Sequence, residues 1–100
     1  MRPKLTDVER TTLMPPLERA GWVHDAARDA IQKRYIFDSF QQAMAFMTGC
    51  ASMCDQLDHH PEWTNVYSRV DVTLVTHDAE GLTELDVTLA THMDRVATEL

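Results

Sequence analysis

Apolar residues recur at Phe40, Ala43, Met44, Met47, Cys50, Ala51, Cys54 and Leu57, and a proline follows at Pro61. Spacings of three, four and seven over this length predict an α-helix of about five turns with one buried face. Phe46, Gly49 and Met53 widen the apolar surface, and the methionines read as core filler. Asp38 with Gln41 three residues later is placed to cap the start. Pro61 forces extended backbone on His60, so the helix must end before it. Such a helix has to be covered by other elements, and the remainder of a 100-residue chain must supply them as one domain spanning residues 1–100.

The flanking segments read as strands and two further helices. Thr6-Asp-Val-Glu9 has the form of a capping box and starts a short helix, which Pro15 and Pro16 interrupt or divide from a further turn over Leu17 to Ala20, with Gly21 placed to end it. Trp22 to His24 is a short strand, Asp25 to Asp29 a polar turn, and Ala30 to Phe37 a second strand. In the latter Ile31, Tyr35 and Phe37 oppose Gln32 and Arg34, while Lys33 and Ile36 break the pattern. Glu62 to Tyr67 is a third strand, with a turn at Ser68-Arg69. Val70 to His77 is the clearest strand, with Val70, Val72, Leu74 and Thr76 on one side and Asp71, Thr73, Val75 and His77 on the other. After a loop over Asp78 to Gly81, Thr83 caps a last helix with Asp86 at its third position, Leu82 and Val87 forming a hydrophobic staple. Leu85, Leu89, Ala90, Met93, Val96, Ala97 and Leu100 give that helix a buried face. The expected fold is α+β, ordered α-β-β-α-β-β-α, with a four-stranded antiparallel sheet and three helices packed on one face.

Composition narrows the functional classes. Hydrophobic residues at 44% and charged residues at 25% are the balance of a globular protein rather than a disordered one. A formal charge of −7 leaves no basic stripe for a phosphate backbone, which argues against direct nucleic-acid binding. No apolar run is long enough to span a bilayer, and the opening residues lack the apolar core of a signal peptide, so no membrane association and a cytoplasmic location are expected. Cys50 and Cys54 share one helix face among apolar neighbours and read as structural rather than redox or metal-binding.

The chemistry concentrates in Asp55-Gln-Leu-Asp-His-His-Pro-Glu-Trp63. His59 and His60 follow the long helix, and His77 ends the best strand; the proposed strand pairing brings these chain crossings together. Histidine populates both protonation states near neutrality, with an unperturbed pKa of about 6.5, and two such groups can catalyse a dehydration. Asp55, Asp58 and Asp86 are candidate orienting partners. From spacing alone the pair could equally be a polar loop whose rings cap the preceding helix, Asp86 has an ordinary capping job, Glu62 reads as a solvated charge, and Trp63 and Tyr67 are sheet packing or a pocket wall. His24 and His92 are isolated and read as surface residues. No zinc-ligand spacing is matched, adjacent ligands are awkward on one tetrahedral centre, and neither a nucleophile elbow nor a Gly-rich phosphate loop is present.

Asp58-His-His-Pro-Glu-Trp-Thr-Asn-Val-Tyr67, the run from Val72 to Asp78, and Gly81-Leu-Thr-Glu-Leu-Asp86 closely resemble the pterin-4a-carbinolamine dehydratase family, and the resemblance extends from Gly21-Trp22 through Phe46-Met47 to Leu89-Ala90. The family's core pattern falls here on Asp55, His59, His60, Pro61, Tyr67, His77 and Asp86. The resemblance implies an α+β unit with a four-stranded antiparallel sheet and three helices. It further implies dehydration of a 4a-hydroxytetrahydropterin to the quinonoid dihydropterin in pterin recycling for aromatic amino-acid hydroxylases. No cofactor is implied, the pterin being the substrate. On this reading His59 and His77 are the proton-transfer pair, His60 binds and orients the pterin, and Asp86 supports a histidine. Asp58, Pro61, Trp63, Thr76, Asp78 and Ala79 line the substrate slot, with Asp55 in support and no metal. Family members form homodimers or homotetramers, and some animal members bind a homeodomain transcription factor as a dimerisation cofactor, so a protein-binding module is the alternative. Asp55 stands where glutamate is common, Ser68 replaces a frequent asparagine, and Glu80 occupies a place often held by glycine, which restricts the backbone if φ must be positive.

Overall fold

The computed structural model describes residues 2–100. Thr6 and Glu9 close the expected capping box, Glu9 N–H donating to Thr6 Oγ1 at 3.1 Å and Thr6 N–H to Glu9 Oε1 at 2.8 Å. The helix so begun, α1 (Asp7–Arg19), does not break at Pro15 and Pro16 as expected but runs through both. Two prolines forfeit two backbone donors; burial of Met14 and Leu17 on either side of them keeps the helix on the core. Gly21, at φ +106, supplies the left-handed residue that ends it.

A β-hairpin follows, β1 (Val23–Asp25) and β2 (Ala30–Ile36), then α2 (Phe40–Leu57), a second hairpin of β3 (Glu62–Val66) and β4 (Arg69–Leu74), and α3 (Glu84–Thr98). All pairings are antiparallel, and the sheet order is β1-β2-β4-β3, so the central β2–β4 pair joins the two hairpins. Ile31, Tyr35, Val70, Val72 and Leu74 point to one side and are buried there with Phe46, Cys50, Leu89 and Met93 from the helices. The opposite side carries exposed Gln32 and Arg34 beside Asp71 and Thr73, and it stays open. The α+β order and the helix-covered sheet are as the sequence predicts. Among the described residues no helix is long and apolar enough to cross a membrane.

Several local expectations are corrected. The cap of α2 is Ser39 rather than Asp38, with Ser39 Oγ accepting from Gln42 N–H and the Gln42 side chain reaching back to Asp38 N–H. The two Ser/Asp-x-x-Gln patterns are offset by one residue, and the one that centres Ala43, Phe46, Cys50 and Cys54 on the core wins. Phe40, Met44 and Ala51 therefore fall on the solvent side of the stripe. The second hairpin turns at Tyr67-Ser68, not Ser68-Arg69, with Tyr67 at φ +51 and 68% exposed. Strand β4 stops at Leu74: Thr76 bridges Gly81, and His77 opens a 3₁₀ turn (His77–Ala79) instead of ending a strand. Val75, expected on an outer face, is buried within the chain, and Leu100 lies exposed beyond α3.

Lys33 breaks the alternation of β2 because it does point inward. Its Nζ donates to Asp94 Oδ1 at 2.7 Å and sits 4.7 Å from the Tyr35 ring centroid. Asp94 also accepts from Trp22 Nε1 at 3.0 Å and from Tyr35 Oη at 2.5 Å, so one carboxylate on α3 satisfies two donors from β2 and one from the residue just before β1. Gly49 lets the helices close up, since a Cβ there would stand 3.0 Å from Val96 Cγ1.

Asp29, at φ +52, ties three segments together. Its carboxylate accepts both Arg10 Nη atoms at 2.7 and 2.8 Å, His24 Nε2 at 2.7 Å and Leu82 N–H at 3.1 Å. The Arg10 fork above all, then His24 and the Leu82 amide, hold its pKa well below the usual carboxylate value against the opposing effect of burial. A carboxylate depressed in the folded state contributes stability above its unfolded pKa of about 3.9 and loses it as pH falls further. Urea unfolding of Asp29→Asn should therefore show lower stability at pH 6, with the difference from wild type shrinking as pH drops below about 4; a difference independent of pH contradicts the assignment.

Candidate active site

The end of α2 sets the geometry. Asp58 takes the left-handed conformation at φ 48, and His59 N–H returns to Cys54 O at 3.0 Å, closing the last turn. The backbone, not the histidine rings, thus caps this helix. The reversal turns the His59 side chain inward, where it is 8% exposed, and leaves that of His60 60% exposed. From the other side, Thr76 and Gly81 exchange both backbone hydrogen bonds, at 3.0 and 3.3 Å, pinching off the 3₁₀ turn that presents His77. Glu80 closes that turn at φ 54, a positive value for a non-glycine residue.

Between these pieces lies an open cleft of about 390 Å³, within the size range of small-molecule sites. His59, His60 and His77 all line it, together with Asp58, Thr76 and Asp78. A larger hollow of about 640 Å³ on the open face of the sheet contains no histidine. The expected convergence of three histidines is therefore present in space. Pro61, Trp63 and Ala79 lie outside the lining, and Trp63 packs against the core instead. Asp55 is largely exposed and lies 3.4 Å from His60 Nε2, a long contact.

Asp86 combines its two readings. It is the third residue of α3, and its Oδ2 accepts Thr83 N–H at 2.9 Å as a capping box requires. The same carboxylate receives His59 Nε2 on Oδ1 at 2.6 Å and Thr76 Oγ1 on Oδ2 at 2.9 Å, and it is fully buried. A hydroxyl has one proton. Thr76 gives its own to Asp86, so at the 2.7 Å contact between Thr76 Oγ1 and Thr83 Oγ1 the donor is Thr83. With the carboxylate as acceptor, the His59 proton facing it sits on Nε2, and Nδ1 holds the lone pair of the neutral ring. The helix N-terminus stabilises the buried negative charge.

His77 is held in a parallel way. Its Nε2 lies 2.7 Å from Glu62 Oε2, while Arg28 grips both oxygens of Glu62 at 2.8 Å each. The Arg28 fork first and His77 second hold the Glu62 carboxyl down at about 2. Glu62 is thus a paired group rather than the solvated charge the sequence suggested; its place beside the His-His-Pro run was the available signal. Arg2, Leu57 and Leu85 also line the cleft, with Arg2 paired to Glu84. The sequence marks Leu57 and Leu85 only as helix-face residues, and nothing in it singles out Arg2. His92 is half-buried rather than fully exposed, with both its ring nitrogens covered and unpaired. Among the described residues no group of three or more His, Cys, Asp or Glu side chains could hold a metal ion.

Comparison with known proteins adds an independent line. A Dinoroseobacter shibae protein provisionally named as a pterin-4-alpha-carbinolamine dehydratase is 53% identical over 97% of this chain and all of its own length. A Drosophila melanogaster pterin-4-alpha-carbinolamine dehydratase is 46% identical over 94% of this chain and 49% of its own. A crystal structure described as a transcriptional coactivator/pterin dehydratase from Brucella melitensis superposes with a TM-score of 0.86 at 42% identity, covering 94% of this chain and 98% of that one. Residues 3–96 match the family model described as pterin 4 alpha carbinolamine dehydratase. With that match spanning nearly its whole length and three of its five histidines gathered in one cleft, the chain belongs to the pterin 4 alpha carbinolamine dehydratase family.

Proposed function

We propose that the cleft dehydrates a 4a-hydroxytetrahydropterin to the quinonoid dihydropterin, the recycling step that serves aromatic amino-acid hydroxylation. The observation that carries this reading is the convergence of His59, His60 and His77 on one cleft, with His59 and His77 each backed at Nε2 by a carboxylate. In the reaction the C4a–O bond breaks, the N5–H proton leaves, and a C4a=N5 double bond forms with release of water. Expulsion of bare hydroxide is costly, because water has a pKa of 15.7, so one histidine gives a proton to the departing oxygen. The other accepts the N5 proton. His59 and His77 take these two roles through Nδ1: the acid starts as an imidazolium that gives up its Nδ1 proton, and the base starts neutral with Nδ1 free and becomes the imidazolium, so the two protonation states exchange across the turnover. His60 orients the pterin, and Asp58, Thr76 and Asp78 contribute to the wall of the slot. The scheme uses neither a metal nor a redox cofactor.

An alternative is an oligomeric protein-binding module with residual or no dehydratase activity, supported by the description of the Brucella melitensis relative as both coactivator and dehydratase. The chain is read here as a cytoplasmic homodimer or homotetramer with no direct nucleic-acid or membrane contact; Phe40 and Met44, 47% and 42% exposed, would be covered by assembly.

Stopped-flow turnover of freshly generated carbinolamine tests the enzymatic reading. Wild type should accelerate dehydration over buffer, and His59→Ala or His77→Ala should each lower the rate about 100-fold or more, equivalent to roughly 2.7 kcal/mol of barrier. No acceleration by wild type favours the binding module, and unchanged turnover in either variant sinks the pairing. Sedimentation at micromolar concentration should give a multiple of 11.4 kDa; a stable monomer contradicts the assembly.

A further inference from the structure

The two proton-transfer histidines are held in different ways. His59 is fixed by burial and by Asp86, but His77 is 65% exposed on a 3₁₀ turn of three residues, so little packing restrains its ring. We propose that Glu62, clamped by Arg28, is the positioning residue for His77, fixing its ring orientation and tautomer for proton transfer. This inference rests on the dehydratase reading.

The geometry supplies a continuous chain of anchorage. Arg10 grips Asp29 and so pins the β1–β2 turn that carries Arg28. Arg28 donates Nη1 to Oε1 and Nη2 to Oε2 of Glu62, both at 2.8 Å, a planar fork that fixes the carboxylate plane as well as its position. Glu62 stands at the first residue of β3, whose register against β4 is set by Glu62 opposite Thr73. Its Oε2 then meets His77 Nε2 at 2.7 Å.

Glu62 stays ionised through the neutral range, with its carboxyl held down at about 2, and an ionised carboxylate only accepts hydrogen bonds. The neutral His77 ring must therefore carry its proton on Nε2 and present Nδ1 as the base. Glu62 is absent from the cleft lining, so its route to the chemistry runs through His77. The arrangement repeats Asp86 behind His59, with one difference. Asp86 belongs to the last helix and is buried, whereas Glu62 is 40% exposed and borrows its rigidity from an arginine of the first hairpin. Carboxylates that orient histidines from behind in this way are typically worth 10- to 100-fold in activity at metal sites.

The test uses the full chain with Glu62→Gln, Glu62→Asp, Arg28→Met and the double variant Glu62→Gln/Arg28→Met, each confirmed folded by circular dichroism. Glu62→Gln should lower kcat about 10-fold with KM unchanged, and Glu62→Asp, which keeps the charge, should recover part of the loss. Arg28→Met should lower kcat in the same direction, and the double variant should lose no more than Glu62→Gln alone, because both act on one ring. Ring ¹⁵N shifts of His77 should report a single Nε2-protonated tautomer in wild type and a mixture in Glu62→Gln; this readout does not depend on turnover. An active wild type with unchanged kcat in Glu62→Gln, additive losses in the double variant, or an unaltered His77 tautomer would each overturn the inference. A wild type that fails to accelerate dehydration is a separate result: it overturns the dehydratase reading and this inference with it.

Discussion

The structure turns on a single buried carboxylate. Asp86 receives a donor from the end of α2 through His59, one from the segment after β4 through Thr76, and one from its own helix start through Thr83 N–H. The Thr76–Gly81 bridge already joins the segment after β4 to the approach to α3, and His59 adds the end of α2 to them through Asp86. A buried charge without partners is strongly destabilising, so the native state must bring all of them to the same point. The demand of one polar group for satisfaction thus decides where three chain segments meet, and the cleft is the space left beside that meeting point.

Around this centre the backbone is held in conformations that propensity alone would not select. Asp58 and Glu80, on either side of the cleft, are non-glycine residues at positive φ, each stabilised by a backbone bond across its own turn. Such positions cost on the order of 1 kcal/mol each and persist where the surroundings over-determine them. Here those surroundings are the closed final turn of α2 and the Thr76–Gly81 bridge. Both devices aim a histidine.

Much of the fold was legible in the sequence because its signals are local. The capping box at Thr6, the stop at Gly21, the alternation from Val70 to Leu74 and the box at Thr83 each depend on residues within one turn or one strand. What was not legible depends on partners far along the chain. Pro15 and Pro16 remain helical because Met14 and Leu17 find a core; Lys33 points inward because Asp94 waits there; Val75 is covered by segments its own pattern cannot reveal. The same division runs through the site. The three histidines and Asp86 stand out by type and neighbourhood, while Arg28 lies distant from its carboxylate in sequence and is joined to it only by folding. Tyr67, by contrast, stood near the histidines in sequence, yet the strand carries it to the far end of the sheet.

The two cysteines of α2 bear on a quite different property. Cys50 and Cys54 are free and face the core, and burial pushes the Cys50 thiol up to about 12 and raises that of Cys54 as well. The thiolate is the form that attacks peroxides and disulfides. With burial both suppressing that form and barring access, neither sulfur offers a path for sulfenylation or mixed-disulfide exchange. The helix that delivers the His59-His60 pair is therefore insulated from thiol oxidation at its own core.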